Sequence, residues 1–120
     1  MYEIMIEDYF SSAHNLREYQ GNCEKLHGHN WKVQVFVKGE KLDKLGILVD
    51  FRELKKEVKN ILQKLDHIYL NELPFFKNIN PTTENIAKFI FDILKEKINI
   101  SKISVWESEN CCATYFKKNN

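Results

Sequence analysis

Glycine and proline are scarce, at four and two in 120 residues, and no Ser/Gly/Pro-rich stretch separates one part of the chain from another. Without a linker, the chain reads as a single domain over residues 1–120. Cysteine is also scarce: there are three, an odd count, and Cys111 and Cys112 are adjacent, a spacing that rarely bridges. This pattern excludes the disulfide framework of a small secreted domain and predicts reduced thiols in the cytoplasm. An excess of one charge is missing too, since 18 Lys and Arg stand against 17 Asp and Glu. No basic surplus exists to displace counterions from a phosphate backbone, so no nucleic-acid partner is expected. Long apolar runs are absent as well. The best helical one, Ile86 to Leu94, is interrupted by Lys88 and Asp92, so no membrane partner is expected either. The acidic start, Met1 to Asp8, lacks the apolar core of a signal peptide. What is present is ordinary for a folded domain, with 43% apolar and 29% charged residues.

Periodicity organises this composition. Tyr2, Ile4 and Ile6 share one parity and Glu3, Met5 and Glu7 the other, which predicts a strand running to His14. A second alternating stretch puts His27, His29, Trp31, Val33, Val35 and Val37 on one face. The period then lengthens. Asp50 precedes Phe51, Leu54, Val58, Ile61, Leu62 and Leu65 at helical spacing, with Glu53 placed for a capping-box return. A loop from Asp66 to Asn80 leads to a second helix carrying Ile86, Ile90, Ile93 and Leu94. Its cap is either Asn80, with Pro81 in the first turn, or Thr82. Strands from about Ile100 to Glu107 and Cys111 to Lys117, around a Ser108-Glu109-Asn110 turn, close the chain. The predicted fold class is α+β: a four-stranded antiparallel sheet with two helices packed on one face. Its two open edges predict closure through oligomerisation.

The four histidines all fall where chemistry is possible. His27 and His29, two apart on one strand, leave the same face with Cα atoms roughly 6.6 Å apart. Two rings at that distance can converge on one ion, and zinc suits imidazole. His14 ends the preceding strand with the parity of Phe10. Antiparallel pairing would bring it beside His27 and His29, leaving a fourth tetrahedral position open. Cys23, four residues before His27, has three readings: a fourth ligand that closes the site, a reactive thiol beside it, or a small buried filler. Asp66-His67 reads as a carboxylate orienting an imidazole for proton transfer, or simply as the turn that ends a helix. Glu107 shares parity with Ile103 and Val105 and so points to the apolar side, where it needs a multi-donor partner unless it turns out to solvent. Arg17, Lys25 and Arg52 qualify as polyphosphate contacts by charge alone.

Six ordered blocks carry a resemblance. They are Phe10-Ser11-Ser12-Ala13-His14, Cys23 to Asn30, Val49-Asp50-Phe51, Leu65 to Asn71, Asn80 to Ala87 and Val105 to Ser108. With this spacing the chain resembles the 6-pyruvoyl-tetrahydropterin and 6-carboxytetrahydropterin synthase family over nearly its whole length. The resemblance implies a tunnelling fold, in which trimers close their sheets into a barrel and two trimers stack as a homohexamer. It implies zinc on His14, His27 and His29, with Cys23 as catalytic thiol and Asp66 and His67 as relay partners across a subunit interface. It also implies that Glu107 anchors the amino-pyrimidine edge of a pterin, with contacts from Thr82 and Thr83.

Three residues between Cys23 and His27 resemble the 6-carboxytetrahydropterin synthases of the queuosine (7-deazaguanine) pathway. Those enzymes convert 7,8-dihydroneopterin triphosphate to 6-carboxy-5,6,7,8-tetrahydropterin, acetaldehyde and triphosphate. Glu24 overlays a second motif, Glu-x-x-His-Gly-His, which resembles producers of 6-hydroxymethyl-7,8-dihydropterin for folate. A 6-pyruvoyltetrahydropterin product is a further alternative. Outside enzymology, the same histidines would fit a non-catalytic, zinc-stabilised assembly protein in which Cys23 closes the site.

Overall fold

The first forty residues form one long hairpin. In the computed structural model, which describes residues 1–118, β1 (Tyr2–His14) pairs antiparallel with β2 (His27–Gly39) from Tyr2↔Gly39 to His14↔His27. β2 pairs antiparallel with β3 (Lys102–Ser108), and β3 with β4 (Cys111–Phe116), giving the sheet order β1-β2-β3-β4. The parity read from the sequence sets the two faces. Ile6, Phe10, Trp31, Val33, Val35, Ile103 and Val105 are buried beneath the helices. Glu3, Glu7, Gln34 and Lys38 lie on the alternate positions, away from that core.

Helix α1 (Phe51–Leu65) lies over β1, and α2 (Thr83–Leu94) over β3 and β4. Leu54, Val58, Ile61, Leu62 and Leu65 form the buried stripe of α1; Ile86, Ala87, Ile90, Phe91 and Leu94 form that of α2. Asp50 caps α1 by accepting the Arg52 N–H, while no return from Glu53 is found among the described residues. Because this cap is exposed and far from the histidines, Asp50→Ala should cost about 1 kcal/mol of stability. Urea unfolding at neutral pH would measure that loss, and metal content should not change. Thr82, not Asn80, caps α2, accepting the Asn85 N–H.

The connection between the helices is more ordered than the expected loop. It holds two short 3₁₀ turns, Leu70–Glu72 and Pro74–Phe76, which bury Leu70 and Phe76. Its first residues run along the free edge of β1. The Ala13 N–H donates to Ile68 O, the His67 N–H donates to Ser11 O, and Ala13 bridges Tyr69. Only the last few residues of that edge are covered in this way. No helix of the described residues is long and apolar enough to cross a membrane.

Candidate active site

The histidines meet where the hairpin register requires. His14 and His27 are directly paired, and His29 stands opposite Ser12. Their rings pack edge-on, with centroids 4.7 Å apart for His14–His27, 4.8 Å for His27–His29 and 5.1 Å for His14–His29. Trp31, fully buried, forms the floor. Its ring lies edge-on to His14 and His29, stacks on Phe10, and donates Nε1–H to Ser12 O. An indole with its N–H satisfied gives a dry, rigid base that holds the imidazoles in place.

Backbone carbonyls set the tautomers. His14 Nδ1 lies 2.8 Å from Pro81 O, and His27 Nδ1 lies 2.9 Å from Lys25 O. Each Nδ1 therefore carries the proton and donates, leaving the Nε2 lone pair directed inward, as metal-ligating histidines require. The two Nε2 atoms approach to 3.1 Å. Two acceptor lone pairs repel at that distance unless a proton or a cation lies between them. His29 Nε2 is buried with no hydrogen-bond partner. Burial holds the His29 imidazole below the usual histidine value; Glu107 opposes that shift, and the facing His14 and His27 reinforce it. A buried ring nitrogen without a hydrogen-bond partner, beside two Nε2 atoms turned inward, is the chemistry of a donor set, so the residues fit a divalent cation. Together with Glu107, the three histidines place their ligand atoms within 4.8 Å of one another.

Glu107 reaches this cluster on the parity read from the sequence: it follows Ile103 and Val105 on the face that carries His29 and Trp31. Trp106 pairs with Cys112 and Ser108 with Cys111, so Glu107 is also the extra residue of a β-bulge. The carboxylate turns inward, 3.1 Å from His29 Nε2 and 3.4 Å from His14 Nε2, and is about one-third exposed. The reading in which Glu107 turns out to solvent is thereby corrected.

The loop between β1 and β2 carries Cys23 and Glu24. Cys23 is exposed, so it is not a buried filler. It is also outside the metal-capable group, so the reading of Cys23 as fourth ligand does not match the donor set. Glu24 is tied down. Its Oε1 accepts the Leu16 N–H, its backbone pairs with Leu16 O and Asn15 Nδ2, and Oε1 lies 3.9 Å from His27 Nδ1. Two asparagines fasten this loop to the inter-helix segment. Asn71 accepts the Asn15 N–H and donates to Asn15 O, while Asn80 accepts the Arg17 N–H and donates to Arg17 O. The Arg17 guanidinium donates to the carbonyls of Asn71 and Ile79, so it is committed to structure.

Asp66 and His67 form a pair, with Asp66 Oδ2 2.9 Å from His67 Nδ1. The other Asp66 oxygen accepts the Ser11 N–H at 2.8 Å. That backbone bond first, and the His67 bond second, hold the Asp66 carboxyl below its ordinary value. His67 has φ of 57°, an uncommon conformation for a residue with a side chain, and its side chain is 80% exposed. The pair stands apart from the histidine cluster of its own chain. A lowered carboxyl stabilises the fold fully above the ordinary aspartate value and loses that contribution as pH falls through the lowered one. Between pH 5 and pH 2, Asp66→Asn should therefore flatten the acid loss of stability, measured as unfolding midpoint against pH. Thr82 and Thr83 begin α2, directly after the Pro81 carbonyl that orients His14.

Residues 3–118 match the 6-pyruvoyl tetrahydropterin synthase family. The chain belongs to this family. It is 34% identical to 6-carboxy-5,6,7,8-tetrahydropterin synthase of Haemophilus influenzae, covering 96% of this chain and 99% of that protein. It is 36% identical to dihydroneopterin monophosphate aldolase of Pyrococcus furiosus, covering 82% of each. The solved structure of 6-pyruvoyl tetrahydropterin synthase from Caenorhabditis elegans superposes with a TM-score of 0.83 at 28% identity, over 98% of both chains. The four-stranded antiparallel sheet with two helices, the chain fold of these enzymes, and the pterin synthase family inferred from the six motifs are thus shown, and with them the lyase class. Sequence reasoning missed the Trp31 floor, the Pro81 and Lys25 carbonyls, the Asn71 and Asn80 clamps, and the bulge at Glu107. The signals that could have found them were the parity Trp31 shares with His27 and His29, and the presence of Lys25, Asn71, Asn80 and Pro81 in the matched blocks.

Proposed function

We propose that this protein converts 7,8-dihydroneopterin triphosphate to 6-carboxy-5,6,7,8-tetrahydropterin, releasing acetaldehyde and triphosphate, with zinc as its metal. The observation that carries the reading is the convergence of three neutral-capable imidazoles, one with an orphaned buried nitrogen, beside a loop that offers a free thiol. His14, His27 and His29 would hold the ion, which as a Lewis acid makes the hydroxyls of the substrate side chain more acidic. Glu107 accepts from the 2-amino group and ring N–H of the pterin, a donor pair that matches one carboxylate. Thr82 keeps its hydroxyl hydrogen free to donate while its oxygen serves the cap, and Thr83 adds a second hydroxyl.

Cys23 moves a proton at the side-chain carbon, with Asp66 fixing His67 as the partner that takes or returns it. Because His67 faces outward from its own chain, the reading places that pair in the site of a neighbouring subunit. Assembly follows: the free edges of β1 and β4 join copies into a barrel, and two trimers form a hexamer. Sedimentation at micromolar concentration should give one species near six chains. A stable, fully active monomer would exclude this arrangement. The cytoplasm is the compartment that suits three exposed free thiols.

Glu24 favours a second reading. Its carboxylate is tethered beside His27 and an aldolase stands among the relatives, which supports Glu24 as a base for cleavage to 6-hydroxymethyl-7,8-dihydropterin. Mass spectrometry of products formed from dihydroneopterin triphosphate tests both. The 6-carboxy product with acetaldehyde supports the first reading, and the hydroxymethyl or 6-pyruvoyl product alone refutes it.

A further inference from the structure

On the face of the sheet away from the helices, Tyr9 of β1, Lys32 of β2 and Trp106 of β3 are cross-strand neighbours in one row. A cavity of about 550 Å³ opens over that row, lined by Tyr9, Asn30, Lys32, Trp106, Ser108 and Glu109. All six belong to one chain, and none is in the histidine cluster, which lies on the other face. A chain of hydrogen bonds fixes the two rings relative to each other. Trp106 Nε1–H donates to Gln34 Oε1 at 2.9 Å, Gln34 Nε2 donates to Glu7 at 2.9 Å, and the Tyr9 hydroxyl donates to the same carboxylate at 3.1 Å. Tyr9 is 57% exposed, yet its ring is tied in place. Lys32 Nζ lies 4.6 Å from the Trp106 ring centroid. Lys38 and Lys102 on this face pair with Glu3, whereas Lys32 has no carboxylate partner among the described residues. Asn30 accepts from Ser11 Oγ, and no acceptor for its amide hydrogens is found among the described residues.

We propose that this trough is a second small-molecule site, one that takes a flat heteroaromatic ring bearing a single acidic substituent. β1 and β3 stand two strand spacings apart, about 10 Å, so a ring upright between Tyr9 and Trp106 lies about 5 Å from each, within stacking range. Lys32 and the Asn30 amide, on the floor between these walls, meet the acidic group. Glu109, in the turn after β3, accepts from a ring N–H or amino group. An aliphatic anion would leave both rings unused, and a neutral ring would leave the ammonium unpaired. The walls are set before any ligand arrives, so binding does not pay to order them. A pteridine carboxylate and a purine nucleoside monophosphate both carry this chemistry. The trough stands on its own geometry; a pteridine as its occupant rests on the pterin reading above.

Fluorine NMR of fluorotryptophan-labelled protein tests this, with 6-carboxypterin and guanosine monophosphate as the probes. The chain has two tryptophans, Trp106 in the trough and Trp31 beneath the histidines, so each reports one site. Trp106→Phe assigns the two resonances. The Trp106 resonance should move saturably with at least one probe, and the probe that acts at lower concentration identifies the source. Lys32→Glu and Tyr9→Ala, both on the solvent face, should each weaken that response about tenfold or more. Lys32→Arg should keep it, which separates lost charge from lost folding. An unmoved Trp106 resonance at millimolar probe, or an undiminished response in either weakening variant, overturns the site. Movement of the Trp31 resonance alone puts the probe at the histidines and also overturns it. A Trp106 response in a protein that forms no pterin product from dihydroneopterin triphosphate leaves the trough standing and refutes the pterin reading.

Discussion

Cys23→Ala should retain its metal and fold while losing 6-carboxytetrahydropterin formation by about 10²–10⁴-fold, the usual contribution of a positioned proton-transfer group. The fold is safe because Cys23 is exposed and none of the buried core leans on it. The metal is safe because Cys23 lies outside the group of His14, His27, His29 and Glu107 that could hold an ion. What remains active in this variant separates the two readings of product. If Glu24 works as a base, Cys23→Ala should still release 6-hydroxymethyldihydropterin, and the double variant with Glu24→Ala should release none. The tether to the Leu16 N–H supports a role for Glu24, since it holds the carboxylate near the cluster and not in bulk water. Wild-type carboxy-product formation by Cys23→Ala would remove the thiol from the mechanism.

His27→Ala should strip the protein of most of its bound zinc, read by elemental analysis after dialysis. Two imidazoles with a carboxylate bind far more weakly than three. The loss should be specific, because His27 is half-buried at the start of its strand and its removal leaves the Trp31 floor intact. The same substitution ends the 3.1 Å approach of the His14 and His27 Nε2 atoms, and the variant should be folded but inactive. Full zinc stoichiometry in His27→Ala would sink the three-histidine assignment.

Both predictions use residues that were legible in the sequence, and the reason lies in the period of a strand. From Tyr2 to Gly39, one face is apolar and the other polar, so parity alone puts His27 and His29 together, and antiparallel pairing adds His14. The stripe of α1 was equally plain. Legibility ended where a backbone group or a break in register did the positioning. Ile100 reads as strand, yet it is buried just before β3 begins, where Ser101 bonds to Phe36 O. No residue type announces that Pro81 O will orient His14, because every residue has a carbonyl. His67 carries no glycine-like signal for its left-handed backbone. Trp106-Glu107-Ser108 contains no glycine to mark a bulge.

That bulge also bears on what a tidier sheet would lack. Each neighbour in β3 is tied across the sheet: Trp106 faces Lys32 and Cys112, and Ser108 faces Cys111. Glu107 has no counterpart on β4. Deleting it would leave Trp106 and Ser108 as consecutive residues opposite Cys112 and Cys111 and restore regular pairing. The same deletion would take the only carboxylate out of the group that His14, His27 and His29 form with it. Regularity of the ladder and the chemistry of this corner therefore pull in opposite directions, and the sequence keeps the extra residue.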